Sequence, residues 1–304
     1  MTTEVRDSRA APQRVWTILT LLEWAEAYLR EHAFEESRLN AEMLLSRVVG
    51  LPRLGLYLQF DRPLTSGELD HFRTLILRRM THEPVQYILG ETDFMGLTFE
   101  VTPAVLIPRP ETEELVEETV SWLKRSGNQN GTILEIGTGS GNIALALGKF
   151  FPGARITSLE KSGDALAVAR RNCARHGITN VEFLLGDVLA LEFEGRVFDA
   201  VISNPPYVRG DEFEFLAPEV RDFEPRMATT DGGDGFLFIR RILGLARRLL
   251  RPGGGVFMEI GYGQARDAET IARESGLTEV GVRKDFAGIG RILSGFAPGG
   301  VPPP

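Results

Sequence analysis

The chain has a single cysteine, Cys173, among its 304 residues. An internal disulfide is therefore impossible, as is a metal site built from cysteine ligands. Histidine is nearly as scarce: the four present are scattered without ligand spacing, and no metal is expected. Positive charge is in deficit, with 34 Lys and Arg against 42 Asp and Glu and a net charge of −8. Sequence-independent nucleic-acid binding needs clustered cations, so this balance disfavours it and suits a basic protein partner better. Long apolar runs are missing too. No stretch approaches the roughly 18 apolar residues of a membrane span, and Met1 to Pro12 has no apolar signal-peptide segment. The expectation is a cytoplasmic protein that does not enter membranes. What is present, 43% apolar and 25% charged residues, is globular in character and long enough for two compact domains.

From Arg14 to about Met80 apolar residues recur at helical spacing, as in Val15, Ile18, Leu19 and Leu22, then Leu39, Met43 and Leu44, then Leu69, Phe72, Leu75 and Ile76. Gly50 and Pro52 end one helix, and Thr65 with Glu68 three residues on forms a capping box that starts another. The spacing predicts an all-helical N-terminal domain over residues 1–83. Residues 84–107 change to short β-branched and aromatic runs with Gly90 and Gly96 at turn positions, predicting a hairpin linker. Beyond Pro108 helices and buried strands alternate, with seven strands expected: at Ile133 to Ile136, Arg155 to Glu160, Val181 to Leu185, Phe198 to Ser203, Gly255 to Ile260, Glu279 to Arg283 and Arg291 to Gly295. Residues 108–298 thus read as a doubly wound α/β domain with a mostly parallel sheet, and 299–304 as a disordered tail. Ligands of such sheets bind beyond the carboxyl ends of the strands.

The first of those strands runs into Gly137-Thr138-Gly139-Ser140-Gly141, a glycine-rich turn entering a helix, where backbone amides can approach a ligand closely. By itself this is a weak signal, equally that of a tight strand-to-helix connection or of an NAD loop. Glu160 ends the second strand, where one carboxylate can accept from both hydroxyls of a ribose. Asp187 ends the third, placed to accept from an adenine amino group while Val188 covers the ring edge. Three successive strand ends therefore suit a nucleoside-containing cofactor, with S-adenosylmethionine (SAM) and NAD both open at this point.

The fourth strand ends in Asn204-Pro205-Pro206-Tyr207. Two prolines fix φ and supply no N–H, leaving a stiff loop whose carbonyls are available as acceptors. Asn204 Oδ1 and the Pro205 carbonyl can each take one hydrogen of an NH2 group, while the Tyr207 ring stacks on a planar substrate. An amide nitrogen is a poor nucleophile, so catalysis would rest on alignment at about 3 to 3.5 Å and on polarisation. A methylated amide cation sheds its proton readily, and no strong base is required. The bland alternative is a rigid turn with a packed tyrosine. The tetrad favours methyl transfer, and hence SAM.

The tetrad behind a Gly-x-Gly-x-Gly loop resembles amino-methyltransferases acting on DNA adenine, ribosomal-RNA guanine or protein glutamine. Further stretches narrow the choice: Glu83-Pro84-Val85-Gln86-Tyr87-Ile88-Leu89-Gly90, Phe94-Met95-Gly96-Leu97-Thr98-Phe99, Val105-Leu106-Ile107-Pro108-Arg109-Pro110-Glu111-Thr112-Glu113, Phe223-Glu224-Pro225 with Asp234-Gly235, and Glu259-Ile260-Gly261 with Gln264. From about Trp16 to Gly295 the chain resembles the HemK/PrmC family, methyltransferases of the glutamine in the Gly-Gly-Gln motif of class I peptide-chain release factors. The resemblance implies a class I SAM-dependent fold, Rossmann-like with seven strands, behind a helical domain that grips the release factor. It implies SAM contacts at Gly137 to Gly141, Glu160, Val188 and Asn204, with Asn204, Pro205, Pro206 and Tyr207 holding the glutamine amide. A monomer leaving S-adenosylhomocysteine is expected. Glu135 and Glu160 stand where the family usually has Asp, and Thr229 where it has Leu. Residues 108–113 read equally as a cofactor contact or as a proline-started helix with acids at its positive end. Two other functions share these residues: a nucleic-acid amino-methyltransferase, and a SAM-binding module without catalysis.

Overall fold

A computed structural model describes residues 15–193 and 195–299, so the stretch Met1 to Pro12 and nearly all of the 299–304 tail lie outside the described residues. The chain divides into two units at Leu89–Gly90.

The first unit consists of α1 (Ile18–Glu31), α2 (Ser37–Val49), α3 (Arg53–Leu58), α4 (Ser66–Arg79) and α5 (Val85–Leu89). Thr65 caps α4 as its sequence predicts: its hydroxyl accepts from Glu68 N at 3.2 Å, and the Glu68 carboxylate accepts from Thr65 N at 2.8 Å. Gly50 ends α2 in the left-handed region at φ 68°. The helical stripes meet in one core that fully buries Ile18, Leu22, Leu29, Leu44, Leu45, Leu56 and Phe72. Each such side chain is worth about 1.5–3 kcal/mol.

The second unit opens with a hairpin, β1 (Glu91–Phe94) and β2 (Leu97–Glu100). The segment 84–107, expected as a β linker, is in fact a short helix, this hairpin and a loop. Phe94 and Phe99 are buried in the second unit's core, and Glu100 N donates to Asn172 Oδ1 at 2.7 Å. Next come α6 (Pro110–Arg125), β3 (Thr132–Ile136), α7 (Asn142–Phe150), β4 (Arg155–Glu160), α8 (Gly163–His176), β5 (Val181–Leu185) and β6 (Phe198–Ser203). The chain continues through α9 (Pro218–Phe223), α10 (Arg226–Thr229), α11 (Leu237–Leu249), β7 (Leu250–Glu259), α12 (Ala265–Glu274), β8 (Thr278–Lys284) and β9 (Gly290–Phe296).

The sheet has seven strands in the order β5-β4-β3-β6-β7-β9-β8, and β9 alone runs against the rest. Alternation along the strands feeds two cores. Leu134, Ile136, Val201 and Met258 pack under α11 and α12, while Ile133, Ala200, Ile202 and Phe257 pack under α6 and α7 with Trp122. At the amino end of the sheet, Asp199 Oδ2 accepts from Thr132 N at 2.7 Å and its Oδ1 from Arg251 Nη1 at 3.0 Å, tying the starts of β3, β6 and β7 together. Strand order reverses between β3 and β6, so the loops that diverge there open a crevice at the carboxyl edge. No described helix is long and apolar enough to cross a membrane.

Candidate active site

A cleft enclosing about 1020 Å³, partly continuous with solvent, lies at that crevice. Its walls include Gly137, Thr138, Gly139 and Ser140 after β3, Glu160 after β4, Asp187 and Val188 after β5, and Asn204, Pro205 and Pro206 after β6. Gly141 does not line it. It caps α7 at φ 85°, where a Cβ would press on Leu145 and Ala169, so its role is to turn the chain.

Gly139 faces open space, with nothing within 4 Å of where a Cβ would stand, and its φ of +54° suits glycine. Its N–H donates to Glu160 Oε2 at 3.0 Å, and Ser162 N donates to Oε1 at 2.8 Å. Each carboxylate oxygen is thus anchored once and retains a lone pair for a ligand hydroxyl. Thr138 turns inward, 2.6 Å from Ser158 Oγ, and Ser158 donates in turn to Glu135. Glu135 is fully buried, and burial pushes its pKa up to about 8. A carboxyl held protonated under the glycine loop leaves the loop floor uncharged at neutral pH. Asp187 is engaged by Lys161 Nζ at 2.9 Å and by Leu189 N at 2.9 Å, and the lysine lowers its pKa. The bare backbone of the loop, the half-satisfied Glu160 and an apolar Val188 wall together fit a nucleoside cofactor.

The tetrad stands between this cleft and a second cavity. Leu106, Arg109, Asn204, Pro205 and Ala228 line both, whereas Tyr207, Gly261 and Gln264 line only the second. Asn204 Nδ2 donates to Thr112 Oγ1 at 3.0 Å, and Thr112 donates to Glu259 Oε2 at 2.7 Å. Tyr207 Oη donates to the other oxygen of Glu259 at 3.1 Å. Burial, followed by the neighbouring Glu259, raises the phenol pKa far above neutrality, and burial also raises that of Glu259. Tyr207 is therefore a neutral ring with a fixed edge rather than a base. Behind it, Gln264 Nε2 donates to the Tyr207 carbonyl at 3.0 Å, and Gln264 Oε1 accepts from Gly261 N at 2.8 Å.

Residues 20–90 match the family model of the PrmC N-terminal domain, and residues 128–283 that of a methyltransferase domain. A release factor glutamine methyltransferase of Geobacter sulfurreducens is 43% identical over 281 residues, which cover 92% of this chain and 97% of that one. A second, from Chlorobaculum tepidum, is 41% identical over 292 residues, 94% of this chain and 99% of that one. The chain belongs to the release factor glutamine methyltransferase family.

Within this family frame, the segment 108–113 forms the proline-started helix, and three of its residues also face the cleft. Pro110 starts α6 with Glu111 and Glu113 in the first turn, while Pro108, Arg109 and Thr112 line the cleft. Arg109 Nη2 donates to the buried Glu224 at 2.5 Å, joining that segment to the loop before α10. Thr229 satisfies its hydroxyl on the Pro225 carbonyl at 3.2 Å. Roles for Thr112, Glu259 and Gln264 were not foreseen from the sequence. Apart from Gly261 and Gly235, bonded to Gln264, the partners described lie 52 to 147 positions away, and the only signal was their presence in the stretches that carry the family resemblance.

Proposed function

We propose that this chain transfers a methyl group from SAM to the side-chain N5 of the glutamine in the Gly-Gly-Gln motif of class I peptide-chain release factors, with S-adenosylhomocysteine as the other product. The observation that carries this reading is the placement of Asn204 and Pro205 on the wall shared by the cofactor cleft and the second cavity. When bound, SAM supplies an electrophilic methyl on a sulfonium.

The loop 137–140 carries the methionine part, Glu160 the ribose hydroxyls, and Asp187 with Val188 the adenine. Asn204 Oδ1 and the Pro205 carbonyl each accept one hydrogen of the substrate amide, and Pro206 keeps that loop stiff. Tyr207 stacks on the amide plane so that the nitrogen lone pair points across the shared wall. With SAM bound there, methyl transfer to this nitrogen would leave S-adenosylhomocysteine and an amide cation, whose extra proton would pass to water. The contribution of Asn204 and Pro205 is alignment and a fixed acceptor pair, worth more in a dry site than in water. Residues 1–83 serve as the release-factor grip, 84–107 as the connection and 108–298 as the methyltransferase domain. The enzyme acts as a cytoplasmic monomer without metal, nucleic acid or membrane, and its acidity suits a basic protein surface.

The test supplies radiolabelled SAM with an intact release factor and with one carrying Ala for the Gly-Gly-Gln glutamine. Label on the first alone is expected. Label on both moves the acceptor elsewhere, and label on nucleic acid alone replaces this reading by a nucleic-acid amino-methyltransferase. Asn204→Ala is expected to bind SAM normally and turn over poorly; unchanged turnover removes the tetrad from the mechanism.

A further inference from the structure

We propose that Thr112 and Glu259 act as positioning residues that set the direction of the Asn204 side-chain amide, so that Oδ1 rather than Nδ2 faces the acceptor nitrogen. The inference rests on the amide-methylation reading above and adds two residues to it. Asn204 directly follows β6 and Glu259 ends the adjacent parallel β7, each one residue beyond the register pair Ser203 and Met258, so the backbone itself sets them side by side. Thr112 reaches the same point from the first turn of α6 and is 2% exposed.

The direction follows from proton counting. In both contacts with Glu259 the hydroxyl is the donor, so its one proton is committed there. Glu259 takes the Thr112 hydroxyl at 2.7 Å on Oε2 and the Tyr207 hydroxyl at 3.1 Å on Oε1. Thr112 has one proton, and it points at Glu259. Toward Asn204 the Thr112 oxygen therefore offers only a lone pair, which the amide NH2 meets at 3.0 Å and an amide oxygen would oppose. Asn204 Oδ1 is left with no partner among the described residues, and Asn204 lines both cavities. Flipped by 180°, Asn204 would set an NH2 against the substrate NH2, donor against donor. The same carboxyl group holds the edge of the Tyr207 ring, so one buried side chain orients both the acceptor and the stacking plane.

Thr112→Val keeps the shape and removes the hydroxyl, while Thr112→Ser keeps the hydroxyl. For Thr112→Val we expect kcat to fall roughly 10- to 100-fold, as for a misplaced catalytic group, with the KM for release factor within about threefold of wild type. Thr112→Ser is expected to restore most of that loss. Should Thr112→Val not fold, Glu259→Gln, which can donate as well as accept, is expected to show the same split between kcat and KM. A readout independent of turnover is solvent exchange of the Asn204 side-chain amide protons by NMR, identified by their absence in Asn204→Asp. Thr112→Val should speed that exchange about tenfold or more, since a hydrogen bond is lost. Wild-type kcat in Thr112→Val, equal losses in the Val and Ser variants, or unchanged amide exchange overturns the proposal. Absence of glutamine methylation by the wild-type enzyme, with faster exchange in Thr112→Val, instead sinks the functional reading and leaves the lock standing.

Discussion

Gln264→Met is the most informative single perturbation behind the active site. The side chain is only 7% exposed and binds three backbone groups from three segments: Gly261 N at 2.8 Å, the Tyr207 carbonyl at 3.0 Å and the Gly235 carbonyl at 3.3 Å. Methionine preserves length and apolar packing but strands all three. A buried polar group left without its partner costs about 1–3 kcal/mol. The contact at 3.3 Å is the weakest of the three, and the adjoining cavity admits water to the neighbourhood. The net loss should thus be nearer 2–4 kcal/mol, at the low end of that range per group. For a unit of this size that corresponds to a fall in Tm of roughly 5–15 °C. A loosened Tyr207 should lower kcat about tenfold, through poorer alignment. The SAM Kd should stay put, since Gln264 is not part of the cofactor cleft. Thermal melts, chemical denaturation and single-turnover methylation measure the three quantities. A Tm shift under about 2 °C together with wild-type kcat would refute the hydrogen-bond accounting.

Gly235→Ala places a Cβ 2.5 Å from the Tyr207 carbonyl at a φ of +82°, so a loss of kcat exceeding about tenfold is expected in the same assay. Glu160→Ala removes a carboxylate with two free acceptor sites, and calorimetry should show SAM affinity weakened roughly 10- to 100-fold; unaltered affinity would leave the ribose without its partner. Glu135 gives a pH signature, because its folded pKa of about 8 lies above the ordinary 4.5. Its contribution is then complete below the unfolded value and lost as pH rises through the folded one. Wild type should lose stability relative to Glu135→Gln between about pH 4.5 and 8, and parallel stability–pH curves would count against a buried neutral carboxyl.

Elements whose causes are local were legible in the sequence. Thr65 with Glu68 announced the start of α4, and the β-prone runs at 155–160, 181–185 and 198–203 gave β4, β5 and β6 their bounds. The meeting of the glycine loop, Glu160, Val188 and the tetrad at one edge was legible because strand ends in a parallel sheet converge there. β7 begins at Leu250, earlier than its apolar run at Gly255 suggests, because pairing with β6 carries it across a register irregularity between Phe198 and Ala200. Side-chain direction was not legible either. Thr138 was expected beside the cofactor yet turns its hydroxyl toward Ser158, and the carboxylate of Asp187 is already shared with Lys161. Such facts depend on neighbours brought together by the sheet, and no window of sequence contains them.

The Asp199 clamp sits at the end of the sheet opposite the glycine loop and the tetrad. A Cβ at Gly131 would come within 2.7 Å of its carboxylate, so even the turn into β3 is shaped around it. Durability and chemistry are consequently housed at opposite poles of the same strands. Anyone wishing to harden this enzyme against heat can work at the Asp199 pole, around Arg251 and Val197, without trading away turnover.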